Sequence, residues 1–125
     1  MKVAISTTGE GSESPFDSRF GRTAAFCLVD RASGEWTRHE NPAQAAAGGA
    51  GVEAARFVVG LGAGAVISGA YGPHAFATLA AAGVEMYLAP ADPDLTVAGA
   101  LALLQEGSLR RAEAATHAGH HGSAS

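Results

Sequence analysis

Apolar residues along the chain switch between a period of two and a helical period, and the switches mark out its elements. Lys2 to Thr7 (KVAIST) is a short β-type run that gives way to a polar, glycine-containing loop, Thr8 to Ser14. Ala24 to Asp30 (AAFCLVD) reads as a buried strand, Ala32-Ser33-Gly34 as a tight turn, and Glu35 to Glu40 (EWTRHE) as the partner strand of a hairpin. Asn41-Pro42 stops it. Helical spacing then predicts a helix from Val52 to Gly60, with Val52, Ala55 and Val59 on one face and Glu53 and Arg56 turned to solvent. Ala65 to Ser68 is another buried strand, and Pro73 suits the first position of a helix from His74 to Ala82, whose apolar stripe is Phe76, Leu79 and Ala80. Val84 to Leu88 is the last predicted strand. Thr96 is a natural N-cap for a helix from Val97 to Glu106, where Val97, Leu101 and Leu104 recur at helical spacing. From Arg110 the composition turns to Ala, His, Gly and Ser without any period, which predicts one domain over residues 1–109 and a flexible His-containing tail over 110–125.

The order β-β-β-α-β-α-β-α implies an α/β fold: an antiparallel meander followed by strand–helix units, giving a mixed five-stranded sheet with helices on both faces. Right-handed crossovers favour the strand order 3-2-1-4-5, a ribonuclease-H-like layout. In that layout the first, third, fourth and fifth strands end at one edge of the sheet. Four loops meet there: Thr7 to Thr23, Asn41 to Gly51, Gly69 to His74 and Ala89 to Thr96. Open α/β sheets place their ligands at such an edge.

Composition narrows the function. Of the 125 residues 29 are Ala and 17 Gly, against 19 Val, Ile and Leu together, so the interior should be closely approached backbone with few bulky side chains. A formal net charge of -4 disfavours non-specific nucleic-acid binding. No apolar run reaches the roughly 20 residues that span a bilayer, and the start of the chain lacks the apolar stretch of a signal peptide, so the cytoplasm is the expected compartment. The single cysteine, Cys27, lies mid-strand and reads as a small buried hydrophobe rather than a nucleophile or cluster thiolate.

The candidate chemistry lies at the shared edge. Gly48, Gly49 and Gly51, and Gly69 and Gly72, bring bare backbone amides to two helix starts, where unpaired N–H groups and the helix dipole attract anions. Arg19 and Arg22 in the first loop would add fixed positive charge. The competing reading is that these glycines only permit tight turns. The string Gly60-Leu61-Gly62-Ala63-Gly64 follows a helix and precedes a strand, the reverse of a dinucleotide fingerprint. Asp30, Glu35, Glu40 and Glu85 are too scattered for a two-metal nuclease, and Ser6, Ser68 and His74 show no base–orienter pair. His74 opens a helix at the edge and is either a metal ligand or a solvent-facing residue; His39 falls in the hairpin. His117, His120 and His121 form a short tract able to hold a metal weakly, or are incidental residues of a solvated tail.

Several stretches resemble, in order, the dinitrogenase iron-molybdenum cofactor biosynthesis family, the NifX-like and NafY-core-like domains also found at the C-terminus of NifB. They are Met1 to Ser6, Ser14-Pro15-Phe16-Asp17-Ser18-Arg19-Phe20-Gly21-Arg22, Glu40-Asn41-Pro42, Gly72-Pro73-His74-Ala75-Phe76 and Ala82 to Leu88. The resemblance covers about residues 1–109, and its most specific part is the stretch from Ser14 to Arg22. It implies the fold reached above and a non-enzymatic role: binding or passing on an iron–sulfur or iron-molybdenum cluster as cargo, alongside nitrogenase assembly proteins. It places Phe16, Arg19, Phe20, Gly21 and Arg22 on the family motif. There, Arg19 and Arg22 either face the cluster, or pair with Glu10, Glu13 or Asp17 while the phenylalanines pin the loop. The histidine that some members carry before the first helix is replaced here by Gln44 to Gly49. The alternative function is a small metal-free ligand-binding or regulatory domain outside nitrogen fixation.

Overall fold

Alternation along the central strands sorts the apolar side chains into two cores, one on each face of a single sheet. In the computed structural model, which describes residues 1–115, β1 (Lys2–Thr7) sends Val3 and Ile5 to one face and Ala4 to the other. β2 (Ala25–Asp30) does the same, with Cys27 and Val29 opposite Phe26 and Leu28. β4 (Ala63–Ser68) divides Ala65 and Ile67 from Val66. β3 (Trp36–Glu40) is more exposed, as befits an edge strand, and β5 is Glu85–Leu88. The helices α1 (Ala50–Gly60) and α2 (Pro73–Ala81) cover the face of Ala4, Phe26 and Val66. The third helix, α3 (Val97–Gln105), covers the face of Val3, Ile5 and Ile67.

The sheet order is β3-β2-β1-β4-β5 and then a sixth strand, Arg110–Arg111, with β1 parallel to β4, β4 parallel to β5, and the hairpin β2–β3 antiparallel. The expected order 3-2-1-4-5 is therefore present, and the carboxyl ends of β1, β3, β4 and β5 share one edge. The expectation of five strands is one short. β6 (Arg110–Arg111) pairs antiparallel with β5, inside the segment whose composition predicted a flexible tail. Its anchors are small: Ala112 is buried and donates its N–H to the Met86 carbonyl at 2.8 Å, and Leu109 packs on the α3 side. One alanine and one leucine around two arginines are too short to register as a period. His117, His120 and His121 lie outside the described residues.

Helix α1 also corrects the predicted face. Ala50, Ala54, Ala55 and Val58 are buried, whereas Val59 is exposed and Val52 only half-buried. In α2 the buried residues are Ala75 and Leu79, while Phe76 is half-buried and Ala80 exposed. The face that meets the sheet and the neighbouring helix is the one built of alanine, because small side chains let backbones approach closely and keep dispersion contacts dense. Ala54 is fully buried, so Ala54→Leu should overpack this seam and lower stability by about 1–3 kcal/mol. Chemical unfolding would check this; an unchanged midpoint would mean that the seam has slack.

Candidate functional site

Residues 16–22 cross the carboxyl edge of the sheet from one core to the other. Phe16 is buried on the α3 side, and Phe20 on the α1/α2 side. There Phe20 packs at 5.4 Å from Phe26 and 5.5 Å from Tyr71, centroid to centroid. Between these anchors the segment is stitched to the strand ends. The Asp17 N–H donates to the Ser6 carbonyl, and the Ser6 hydroxyl donates to the Asp17 carbonyl. Ser6 and Ser68, at the ends of β1 and β4, lie 2.9 Å apart through their hydroxyls. Thr23 donates to the Thr7 carbonyl at 2.8 Å, and the Asn41 amide donates to the Gly21 and Thr23 carbonyls at 3.0 and 2.9 Å. All of these polar side chains are buried, and among the described residues no buried side-chain N or O lacks a partner. This satisfies the demand of a dry interior.

Glycine makes the close contacts possible. A Cβ on Gly69 would lie 2.5 Å from Ser18 Cβ, and the Gly69 N–H donates to the Ser18 carbonyl at 3.0 Å. Gly69 was expected to offer a bare amide; its N–H is instead taken up within the fold. A Cβ on Gly21 would come 3.1 Å from the Gly51 nitrogen, and one on Gly51 would come 3.3 Å from Ala75 Cβ. The motif segment, the start of α1 and the start of α2 therefore touch one another.

The three helix starts differ in how they are capped. For α3, Thr96 accepts from the Gly99 N–H at 3.0 Å, and the Ser14 and Ser12 carbonyls accept from Val97 and Ala98. Its first turn is satisfied by protein. For α1 the N-cap is Gly49, in the left-handed conformation at φ 71, and for α2 it is Gly72; neither helix has a side-chain cap. Gly48 precedes the α1 cap and a Cβ there would meet open space. The first-turn N–H groups of two touching helices, without partners among the described residues, are a ready site for negative charge.

The two arginines have different surroundings. Arg19 forms a fork on Asp17, with Nε 3.1 Å from Oδ1 and Nη2 2.9 Å from Oδ2. The Arg19 N–H donates to the same carboxylate. Asp17 is only 6% exposed and Arg19 58%. Burial alone would raise the Asp17 carboxyl, but hydrogen bonds and charge from Arg19 outweigh it and hold it below its ordinary value. Arg22 meets no carboxylate among the described residues; its guanidinium donates to the Gln44 and Ala46 carbonyls at 3.1 and 2.6 Å. Of the alternatives open at the outset, the pinned loop and an Arg19–Asp17 pair are thus present. Glu10 and Glu13 take no part.

Other candidates fall into place. His74 is exposed at the second position of α2. Cys27 is buried, and burial pushes its thiol up, as a small hydrophobe requires. Among the described residues no group of three or more His, Cys, Asp or Glu side chains is placed to hold a metal ion, and no helix is long and apolar enough to cross a membrane. Sequence reasoning missed Tyr71, which fell within the loop from Gly69 to His74. It is fully buried and donates to the Tyr87 carbonyl at 2.8 Å, with Val66 O at 3.1 Å, and burial keeps its phenol protonated. An aromatic residue within the short stretch Gly69-Ala70-Tyr71-Gly72 was the available signal.

The fold and rim define an α/β domain with two uncapped helix starts at one edge of its sheet, and the comparisons with known proteins supply its family. The chain matches the dinitrogenase iron-molybdenum cofactor family over residues 1–107 and belongs to it. In structure it is similar to the apo form of the orange protein from Desulfovibrio gigas, at 33% identity and a TM-score of 0.86, over 93% of this chain and 96% of that one. It is also similar to a Thermotoga protein provisionally described as a NifB protein, at 32% identity and a TM-score of 0.80, over 94% and 98% of the two chains. No curated protein matches it in sequence.

The lowered Asp17 carboxyl carries a prediction. A group whose pKa is depressed by folding adds stability above its unfolded pKa and loses it as pH falls through the folded value. Relative to Asp17→Asn, the native chain should be more stable by about 1–2 kcal/mol at neutral pH. That advantage should shrink only below about pH 4. Urea unfolding across this range measures it; a difference that stays flat down to pH ~3 would show that the ion pair does not hold the loop.

Proposed function

We propose that this chain is a non-catalytic carrier that holds an anionic iron–sulfur or iron-molybdenum cluster as cargo during cofactor assembly and passes it to nitrogenase assembly proteins. The observation that supports this most directly is the contact between two helix starts that lack side-chain caps, beside a third that is fully capped. A cluster carrying net negative charge would be held by the first-turn N–H groups of α1 and α2 around Gly48, Gly49, Gly51 and Gly72. Arg22 is the cation best suited to face it, since among the described residues its charge is met only by carbonyl oxygens, whereas that of Arg19 is balanced by Asp17. In this reading Arg19 shapes the loop and His74, exposed at the same rim, is the side chain placed to reach a metal of the cargo. The tail histidines would serve as auxiliary metal ligands.

Anaerobic incubation of the apo protein with ferrous ion and sulfide, followed by desalting, tests the proposal. The expected outcome is stoichiometric iron and brown colour retained on the protein, with retention about tenfold lower in Arg22→Ala and lower still in Gly51→Val, which fills the seam between the helix starts. Arg19→Ala should lose less. Complete loss of iron from the native chain would favour a metal-free ligand-binding or regulatory domain. Retention that ignores both rim substitutions would keep a carrier but move its site.

A further inference from the structure

The far edge of the sheet carries a feature that the rim does not use. Among the described residues β6 is the terminal strand, bonded to β5 alone, with Leu88 opposite Arg110 and Tyr87 opposite Arg111. Ala112 next to it faces inward, donating to Met86. In an antiparallel ladder successive residues alternate between facing the partner strand and facing away, so the Arg111 N–H and C=O point to the open edge. Both arginines are exposed, and neither forms an ion pair with any described residue. In a chain of formal net charge -4 this is an exposed basic doublet without an ion-pair partner among the described residues. A groove of about 440 Å³ runs beside it, floored by Phe76, Val84, Met86 and Ala112, with Glu113 at its margin.

We infer that β6 is a docking edge at which an extended acidic segment of a partner protein adds as the next strand. Strand addition draws affinity from main-chain hydrogen bonds and selectivity from alternate side chains. The register fixes what those side chains should be. Two consecutive carboxylates would stand opposite Arg110 and Arg111, and cross-strand opposite charges are favourable. The next residue, opposite Ala112, would be apolar and enter the groove over Met86 and Phe76. Glu113 repels a third carboxylate, so the segment recognised is a short acidic pair beside an apolar residue. A second copy of this chain is a poor occupant, because apposed β6 strands would bring arginine against arginine.

The probe is a capped heptapeptide with two central glutamates flanked by valine and threonine, labelled and titrated into the full chain by fluorescence anisotropy. Binding should weaken with salt, fall at least tenfold in Arg110→Glu/Arg111→Glu, and be abolished by N-methylation of alternate peptide bonds. Both substitutions are on exposed side chains, and an unchanged unfolding midpoint would show the fold intact. Equal binding of a peptide with lysines in place of the glutamates, or binding indifferent to N-methylation, overturns the inference. So does a dimer of the native chain that the double variant dissociates. Cluster retention by the double variant should be unchanged, which separates failure here from failure of the carrier reading.

Discussion

The rim exists because residues 16–22 lie close against the strand ends and helix starts below them, with glycine at the points of nearest approach. Gly69 under Ser18, Gly21 against Gly51, and Gly51 against Ala75 are contacts that a single methyl group would strain or forbid. Backbones packed this tightly leave polar groups nowhere to find water, so the hydrogen bonds of Ser6, Ser68, Thr23 and Asn41 are a necessity of the same arrangement. Close packing and polar satisfaction are here one constraint. It explains why an interior poor in large aliphatic side chains can still hold a rigid edge.

That constraint also decides which amides remain unpaired. The loop from Thr8 to Pro15 folds over α3 and supplies carbonyls to its first turn. The loops before α1 and α2 supply glycine caps without acceptor side chains. Residues 16–22 then lie across the edge, with Phe16 and Phe20 fixed in opposite cores, and bring Gly21 to the α1 start. The dipole ends of α1 and α2 therefore converge beside an anchored segment instead of opening separately onto solvent. Convergence matters because the attraction of one helix terminus for an anion is modest and falls off within a turn.

Much of this was legible in the sequence, and the reasons are specific. The strand order followed from the alternation of elements and the scarcity of topologies that connect them, and the edge followed from the strand order. The glycine-bearing helix starts could be read because their positions relative to the apolar periods were clear. What could not be read was which donors would be taken. Whether Gly69 gives its N–H to Ser18, or Arg19 its fork to Asp17, depends on a contact between residues far apart in the chain or on a rotamer set by the loop's final path. The α1 face failed for another reason: hydropathy ranks valine above alanine, whereas the interior selected for close approach. β6 was invisible because a strand of two arginines carries no period at all.

The two arginines show how far a motif can be trusted. By spacing they look equivalent, each one step from a phenylalanine or glycine in the same loop. In the folded chain one is half of a buried-carboxylate pair and the other reaches across to a second loop. A guanidinium already neutralised by a nearby carboxylate adds little net field at a distance, while one that meets only carbonyl dipoles keeps its full charge. Electrostatics therefore separates an arginine balanced by a carboxylate from one that is not, where the sequence pattern treats them alike. It gives Asp17 and Arg19 to the building of the rim, and in the proposed reading it leaves Arg22 to face the cargo.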